Sequence, residues 1–233
     1  VKMGEGGVTP NVYSYQSVIT AWAKSNTGAK GAKRAEKILQ HMNKLHKSGN
    51  PNVKPLTMCY NAVLEAWASS NSGNKNTIQA AQRAEQILQF MIKHGEEQPN
   101  TRSINTVITA WASSGASDAP QHAESMLTYF DQINSSLPTN KKVRPDLFTY
   151  NAIIHAHTNS KEKDAARKAE AVLYRLLELE RNNDDDDDDD GDAVRLMVLG
   201  CVRIVGEKVV VGTIRFVLSA VVVSAENELE KYV

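Results

Sequence analysis

Amide side chains recur at regular intervals in this chain and supply its clearest candidate chemistry. They are Gln16, Asn61, Asn105 and Asn151. An amide carries hydrogen-bond donors and an acceptor together, so a row of amides can recognise polar groups by hydrogen bonding. The alternative interpretation is structural, because Asn often caps the start of a helix. The asparagines follow residues that should already lie inside a helix, which argues against capping.

Residues that commonly carry catalysis or bind metals form no convincing site in the sequence. His155 and His157 lie two residues apart, and such positions point in different directions on a helix. Cys59 and Cys201 give neither a disulfide framework nor a metal spacing. The chain also lacks a glycine-rich phosphate loop. We therefore expect no enzyme activity, no metal and no cofactor.

A glutamate follows alanine at one recurring place in the chain. These residues are Glu36, Glu85, Glu124 and Glu170. Four equivalent carboxylates are a poor design for a single active site. We therefore interpret them as part of a repeated helix.

The elements that must position these side chains belong to a phrase that occurs four times. The copies cover residues 15–22, 60–67, 104–111 and 150–157, at steps of 45, 44 and 46 residues. A period in this range is typical of solenoids and other repeat arrays. Apolar residues in the first copy, such as Tyr15, Val18 and Trp22, fall at helical spacing.

A second helical pattern follows each phrase after a turn-rich loop, so each repeat predicts a pair of helices. We expect an all-α fold, an α-solenoid of antiparallel helix pairs, with units at about 12–55, 57–99, 101–145 and 147–180. One such pair cannot bury its apolar face alone, whereas stacked pairs form a continuous core. Trp22, Trp67 and Trp111 should be buried in that core. His157 replaces the tryptophan in the fourth copy, which predicts a weaker, partly exposed last repeat.

The order of these features resembles the pentatricopeptide repeat. Tyr-Asn, two aliphatic residues, Ala-Trp, a second helix with Ala-Glu and a closing Pro-Asp or Pro-Asn recur over residues 8–180. Residues 143–154 are the most similar stretch. The units are longer than is usual for the family, and the excess lies in loops, where insertions cost little stability. The resemblance implies a right-handed superhelix that binds single-stranded RNA in mitochondria or plastids, in RNA processing, stability or translation.

The resemblance also implies which residues read the RNA. We use the term opening residue for the residue that follows the first-helix Tyr or its equivalent, and closing residue for the one that follows the proline ending the repeat. The implied pairs are Gln16 with Leu56, Asn61 with Asn100, and Asn105 with Asp146, while Asn151 opens a pair whose closing residue is missing. By resemblance, Asn105 with Asp146 prefers uridine and Asn61 with Asn100 accepts a pyrimidine.

The charge distribution fits a polyanionic partner, although solvated helix faces would look the same. Residues 1–183 hold 22 Lys and Arg against 15 Asp and Glu, a net charge of +7. A basic body gains affinity for nucleic acid by releasing counterions from phosphates. The alternative function is a protein-interaction scaffold of the tetratricopeptide-like type, which Leu56 fits because its side chain cannot hydrogen-bond a base. We expect RNA, and in that alternative other proteins, as partners, and no membrane.

The C-terminal part of the sequence departs from the repeats. Residues 181–192 contain seven consecutive aspartates and predict an acidic, disordered linker. Residues 193–233 are rich in valine, which favours strands and conflicts with a helical array. We interpret this tail as sequence foreign to the array, such as the product of a reading-frame error. We also expect the chain to be an internal piece of a longer protein, with any targeting segment outside it.

Overall fold

The computed structural model describes residues 9–70, 77–94, 96–138 and 142–181. Within these ranges the regular structure is α-helical, apart from a short 3₁₀ turn at Pro51–Val53. The helices are α1 (Val12–Ala23), α2 (Ala29–Lys47), α3 (Thr57–Ser69), α4 (Thr77–His94), α5 (Thr101–Ala112), α6 (Ala119–Ser125), α7 (Leu127–Ser136), α8 (Leu147–Asn159) and α9 (Ala165–Arg181). The described residues contain no β-strand. The predicted all-α class is confirmed.

The chain divides into two compact units, Val1–Ala165 and Ala166–Val233. In the first unit, α1 packs on α2, α3 on α4 and α5 on α6. The first helices of successive repeats also pack on each other, in the order α1, α3, α5 and α8. This arrangement is the expected α-solenoid packing of repeats, whose right-handed sense stays a prediction. The described residues of the second unit, 166–181, all belong to α9.

Three of the first helices begin with the same capping arrangement. Asn11, Asn100 and Asp146 are the N-cap residues of α1, α5 and α8, and each forms a capping box with the residue three positions later. The cap side chain satisfies a backbone N–H that the helix itself leaves without a partner, which stabilises the helix by about 1 kcal/mol. Leu56 occupies the cap position of α3 without a side-chain hydrogen bond. The closing residues therefore mark where each first helix starts.

The core follows the predicted helical stripe, with one correction. Val63, Val107 and Ile153 are fully buried at equivalent places of α3, α5 and α8. Trp67 and Trp111 are buried as predicted, with 6% and 1% of their surface exposed. The prediction for Trp22 is wrong, because it is only partly buried. Trp22 lies on α1, and no earlier repeat packs against that helix among the described residues.

Gly31 lets the first two helices approach closely. A Cβ atom at this position would lie 2.6 Å from Thr27 Oγ1 and 2.8 Å from the backbone oxygen of Trp22. Such distances are too short for a side chain, and the second of these atoms belongs to the backbone. The second helix of this repeat therefore requires glycine where it crosses the end of α1.

The second helix of the third repeat is interrupted, although its apolar spacing predicts one continuous helix. α6 ends at Ser125 and α7 begins at Leu127. The Ser125 hydroxyl donates to the His122 carbonyl at 2.8 Å, and the Thr128 hydroxyl donates to the Ser125 carbonyl at 2.7 Å. Hydroxyl side chains that bond nearby carbonyls compete with the helical backbone and bend it. The predicted linker beyond Arg181 and the predicted tail lie outside the described residues.

Candidate nucleic-acid interface

Two of the predicted residue pairs are in direct contact between neighbouring first helices. Asn61 on α3 donates from Nδ2 to Asn100 Oδ1 at 3.3 Å. Asn105 on α5 donates from Nδ2 to Asp146 Oδ1 at 2.8 Å. Each contact joins an opening residue to the closing residue that caps the next first helix. The structure therefore brings together residues that are 39 and 41 positions apart in sequence.

A hydroxyl group that was not predicted from the sequence completes each pair. Ser103 Oγ donates to Asn61 Oδ1 at 2.6 Å, and Thr149 Oγ1 donates to Asn105 Oδ1 at 2.7 Å. Both hydroxyl residues are fully buried. Each also accepts a bond from the backbone N–H of the closing residue, at 3.1 Å from Asn100 and 3.0 Å from Asp146. The opening amide is thus held in one orientation.

The hydrogen bonds leave defined groups unused in each pair. The backbone N–H groups of Ser103 and Thr149 can only donate, so the atoms they contact, Asn100 Oδ1 and Asp146 Oδ1, must be acceptors. Among the described residues, Asn100 Nδ2 and Asp146 Oδ2 have no hydrogen-bond partner. Each opening asparagine also keeps one N–H that is not donated to its closing residue. One pair therefore offers two donors, and the other offers a donor beside an acceptor.

The first predicted pair lacks this polar network. Gln16 and Leu56 are both partly buried, and the hydrocarbon side chain of Leu56 accepts no hydrogen bond. Cys59 occupies the place of Ser103 and Thr149 at the third position of its helix. Burial raises the pKa of the Cys59 thiol, so this group stays uncharged at neutral pH. The first repeat therefore differs chemically from the next two.

Asn151 occupies the opening position of the fourth repeat on α8. It is partly buried, like Asn105 at the equivalent place of α5. No closing residue for this repeat lies among the described residues. The asparagines at opening positions lie inside their helices, and the caps are the closing residues. The capping alternative for Asn61, Asn105 and Asn151 is therefore wrong.

The family comparison agrees with the repeats seen in the fold. The family model of the pentatricopeptide repeat domain matches residues 1–70 and 139–173. These two stretches of the chain are pentatricopeptide repeats. No curated protein matches the chain. The pentatricopeptide repeat is in general a non-catalytic helical repeat, and at the level of the family it indicates an RNA-binding or organellar protein.

Large exposed side chains accompany each pentatricopeptide repeat two positions after its N-cap residue. They are Tyr13, Met58, Arg102 and Phe148. Tyr13 and Phe148 expose 63% and 66% of their surface, although aromatic side chains usually gain from burial. Arg102 forms an ion pair with Glu65 at 2.5 Å and stays largely exposed. The constant offset of these residues from the closing residue is the sequence signal that could have identified the set.

The recurring glutamates join successive pentatricopeptide repeats. Trp67 Nε1 donates to Glu36 Oε2 at 3.0 Å, and Trp111 Nε1 donates to Glu85 Oε2 at 2.9 Å. In the fourth repeat, His157 Nε2 lies 2.6 Å from Glu124 Oε1. We call this interaction the Trp–Glu contact. It links the second helix of one repeat to the first helix of the next, and so fixes the position of successive repeats relative to one another.

A basic or imidazole side chain strengthens two of these contacts. Arg83 Nε lies 3.1 Å from Glu36 Oε2, and the Arg83 guanidinium also pairs with Glu36 Oε1. Hydrogen bonding to this carboxylate raises the pKa of Arg83. His122 stacks on the Trp111 ring with a centroid separation of 3.8 Å, and its Nδ1 lies 3.3 Å from Glu85 Oε2.

His157 is buried, with only 1% of its surface exposed, so the prediction of a partly exposed last repeat is wrong at this position. The imidazole takes the place of the indole and presents the same kind of N–H to Glu124. Its Nδ1 atom is buried without a hydrogen-bond partner. The fourth repeat therefore packs on the third through the same contact.

The described ranges hold neither a cluster suited to a metal ion nor a helix suited to a membrane span. No cluster of three or more His, Cys, Asp or Glu side chains arranged to hold a metal ion occurs there. No helix in that part of the chain has both the length and the apolar character that a membrane span needs.

Proposed function

We propose that this chain binds single-stranded RNA and selects bases through its opening and closing residues, one base for each pair. The observation that carries the proposal is the set of donors and acceptors that the two complete pairs leave unused. These groups belong to side chains held rigid by capping boxes, so little conformational entropy is lost when they bind a base. Unstacked bases present their Watson–Crick edges to such groups.

The pair of Asn105 and Asp146 complements uracil. The remaining Asn105 N–H donates to a uracil carbonyl, and Asp146 Oδ2 accepts from the uracil N3–H. Guanine presents the same order of groups on a larger ring system, so size must exclude it. A comparison of all four bases tests both features.

The pair of Asn61 and Asn100 complements cytosine better than uracil. Both residues offer N–H groups, and cytosine presents two adjacent acceptors at N3 and O2. Uracil carries a proton at N3, which would face a donor. The substitution of Asn for Asp at one closing position thus reverses one hydrogen bond and changes the favoured pyrimidine.

The exposed side chains near each pair supply stacking surfaces for the bases. Aromatic rings and Arg guanidinium planes stack on unpaired bases, at about 1–3 kcal/mol per base for aromatic residues. Tyr13 and Phe148 lie two positions beyond the closing residues Asn11 and Asp146, close to where a base would meet each pair. Their exposure in the free protein supports this role.

A protein partner is the second candidate, and Leu56 favours it. The pair of Gln16 and Leu56 offers an apolar side chain where the other pairs offer polar groups. Exposed Met58 lies two residues further on and extends this apolar character. RNA binding loses affinity linearly on a log–log plot against salt concentration, whereas an apolar peptide contact does not.

A reciprocal exchange of closing residues tests the base preferences. Asp146→Asn should move the preference at its position from uridine to cytidine, and Asn100→Asp should do the reverse. Asn and Asp are equally good N-caps, so both helices should keep their starts. Each exchange should change the free-energy difference between the two pyrimidines by about 1–3 kcal/mol.

The measurement is a binding selection on random single-stranded RNA, followed by anisotropy titrations with oligonucleotides that differ at one base. Leu56→Ile serves as a matched control, because it changes a closing residue without changing its polarity. If the selected RNAs carry the same bases before and after both exchanges, the proposal that these pairs select bases is refuted. Absence of RNA binding at low salt would favour the protein partner.

We further propose a mitochondrial or plastid location and a role in RNA processing, stability or translation. Localisation of the tagged protein would test the proposed location.

A further inference from the structure

The positive charge of the repeats is concentrated on one second helix, α2. This helix contains six Lys and Arg residues and a single Glu. The second helices of the other repeats are close to neutral or acidic. α4 has two basic residues and one Glu, α6 and α7 together have one Glu and one Asp, and α9 has four basic residues and three Glu. The basic character of residues 1–183 therefore comes mainly from the first repeat.

Four lysines of α2 form one exposed row, which we call the α2 lysine face. They are Lys30, Lys33, Lys37 and Lys44. At about 100° per residue, the four lie within about 60° of one another around the helix axis, and they extend over about 21 Å of its length. The buried residues Ala35, Leu39 and Met42 lie on the opposite side, where α2 packs on α1 and α3. The face therefore points away from the first helices, which carry the opening and closing residues.

The exposure of this face does not depend on which repeat precedes α2. The second helix α4 has described repeats on both sides, and alignment of Ala84 with Ala35 gives its register with α2. The residues of α4 at the four equivalent positions are exposed as well. They are Gln79, Gln82, Gln86 and Lys93. This side of a second helix thus stays at the surface when a repeat lies on either side of it.

The lysines of the α2 lysine face are not neutralised by neighbouring acids. None of the four forms an ion pair with any residue that the structure describes. The acidic residue of α2, Glu36, is buried and already accepts from Trp67 and Arg83. Like charges three and four positions apart on a helix repel each other. An anionic partner would remove this repulsion, so the face is suited to bind one.

The chemistry of the face favours the phosphate backbone of a nucleic-acid duplex. Lysine contacts phosphate as a point charge, without the planar fork of Arg. α2 has no large exposed apolar side chain, so it lacks the anchors that a membrane-surface helix inserts. Protein interfaces are usually depleted of lysine and enriched in aromatic residues. Single strands are bound partly by stacking on aromatic side chains, and α2 contains no Phe, Tyr or Trp.

We propose that the α2 lysine face binds the phosphate backbone of double-stranded RNA without regard to base sequence. Duplex RNA is recognised mostly through its shape and its phosphates, and a straight row of ammonium groups supplies contacts of that kind. The face lies on a different helix from the opening and closing residues, so this contact does not require them to select bases. A stem beside a single-stranded target would add a second contact to the same RNA.

Substitution with the residues of the next repeat tests the proposal. Lys30→Gln, Lys33→Gln and Lys37→Gln together give α2 the glutamines that α4 has at the same positions. The triple variant should therefore keep its helices, which circular dichroism checks. Fluorescence anisotropy measures binding of a blunt RNA duplex over a range of salt concentrations. The triple variant should bind about tenfold more weakly or worse at low salt, and its log–log slope against salt should fall by about one for each lysine removed.

A matched variant separates this face from general effects of charge. Lys142→Gln, Lys161→Gln and Lys163→Gln together remove the same charge from exposed positions outside α2, and this variant should keep most of the duplex affinity. If both triple variants bind the duplex equally, or if the wild type does not bind it at low salt, the proposal is overturned. Tighter binding of polyglutamate or of phosphatidylserine vesicles than of the duplex would overturn it as well, because the partner would then be an acidic protein or a membrane.

The same variants distinguish this contact from the selection of bases. The duplex offers no unpaired base, so its binding does not report on the opening and closing residues. The α2 triple variant should keep the wild-type base preferences in the selection on single-stranded RNA. Loss of those preferences would contradict the assignment of a separate, sequence-independent surface to α2.

Discussion

At the scale of single residues, each complete pair of an opening and a closing residue depends on a third side chain that is buried. Ser103 and Thr149 are buried, and each bonds both to the backbone of the closing residue and to the opening asparagine. Without the hydroxyl, the asparagine oxygen would lose its partner and the amide could rotate. The position of the remaining asparagine N–H is therefore set by a capping-box residue of the next helix.

Thr149→Val tests this dependence. Valine keeps the shape of threonine and removes the hydroxyl, so the preference for uridine at this pair should weaken. The loss of the capping box should also lower the free energy of unfolding by about 1 kcal/mol. Thr149→Ser keeps the hydroxyl and should preserve the preference. The measurements are anisotropy titrations with uridine and cytidine oligonucleotides and thermal unfolding. An unchanged preference in the valine variant would show that the hydroxyl does not position the amide.

Cys59 provides a probe of whether the first junction opens. Burial raises the pKa of its thiol, which lowers the fraction of reactive thiolate. In a Cys201→Ser background, alkylation of the native protein at mildly alkaline pH should be much slower than alkylation in urea. Because the folded thiol holds its proton more tightly than the unfolded thiol, the native state should lose stability as pH rises past the usual thiol pKa. Equal alkylation rates in both conditions would show that this junction is open.

At the scale of helices, the Trp–Glu contact explains why the glutamates recur. Glu36 is almost fully buried and accepts from Trp67, Arg83 and Gln40. A buried carboxylate is tolerated only when donors satisfy it. The glutamate therefore recurs because each junction between described repeats uses it. Its role is structural, as interpreted from the sequence, and its partner is the tryptophan or histidine of the next repeat.

Glu36→Gln should lower the free energy of unfolding by about 1–3 kcal/mol, because the charge-assisted bonds are lost while the side-chain shape stays. The matched control is Glu170→Gln, which changes an equivalent residue with no partner among those the structure describes. That control should leave stability nearly unchanged. Urea unfolding followed by circular dichroism measures both variants. Equal losses in the two would contradict the assignment of the contact to the junction.

The helices could be predicted from the sequence because the apolar spacing that identifies a helix involves residues close together in the chain. The pairs of Asn61 with Asn100 and Asn105 with Asp146 came from the family resemblance, and the structure places them in contact. The partners of Trp67 and Trp111 were missed, since they lie 31 and 26 positions away and no local pattern joins them. Trp22 was predicted to be buried because periodicity identifies an apolar face without showing what covers it.

At the scale of the whole molecule, the division into two compact units separates residues 1–165 from the rest of the chain. The described part of the first unit contains both complete pairs of opening and closing residues and three junctions between repeats. Its helices stabilise one another through neighbouring contacts, as is typical of repeat proteins. We expect this part of the chain to determine stability and base preference.

Deletion of residues 184–233 should leave the melting temperature of the repeats nearly unchanged. The sequence of this segment contains no copy of the repeated phrase, so it supplies no matching helix for a junction. Differential scanning calorimetry of the full and shortened chains makes the comparison. A large fall in melting temperature would show that the segment packs as a cap, and would refute its interpretation as foreign sequence.

The closing residues also set limits on how such a protein can evolve new targets. Asn100 and Asp146 each start a helix, and under the proposed function each presents a group to a base, so a change of target must also preserve a helix start. Few residues serve both purposes at these positions, and they are chiefly Asn, Asp, Ser and Thr. Leu56 is the exception. The helix that it starts has no side-chain cap, and the Leu56 side chain offers no hydrogen bond to a base.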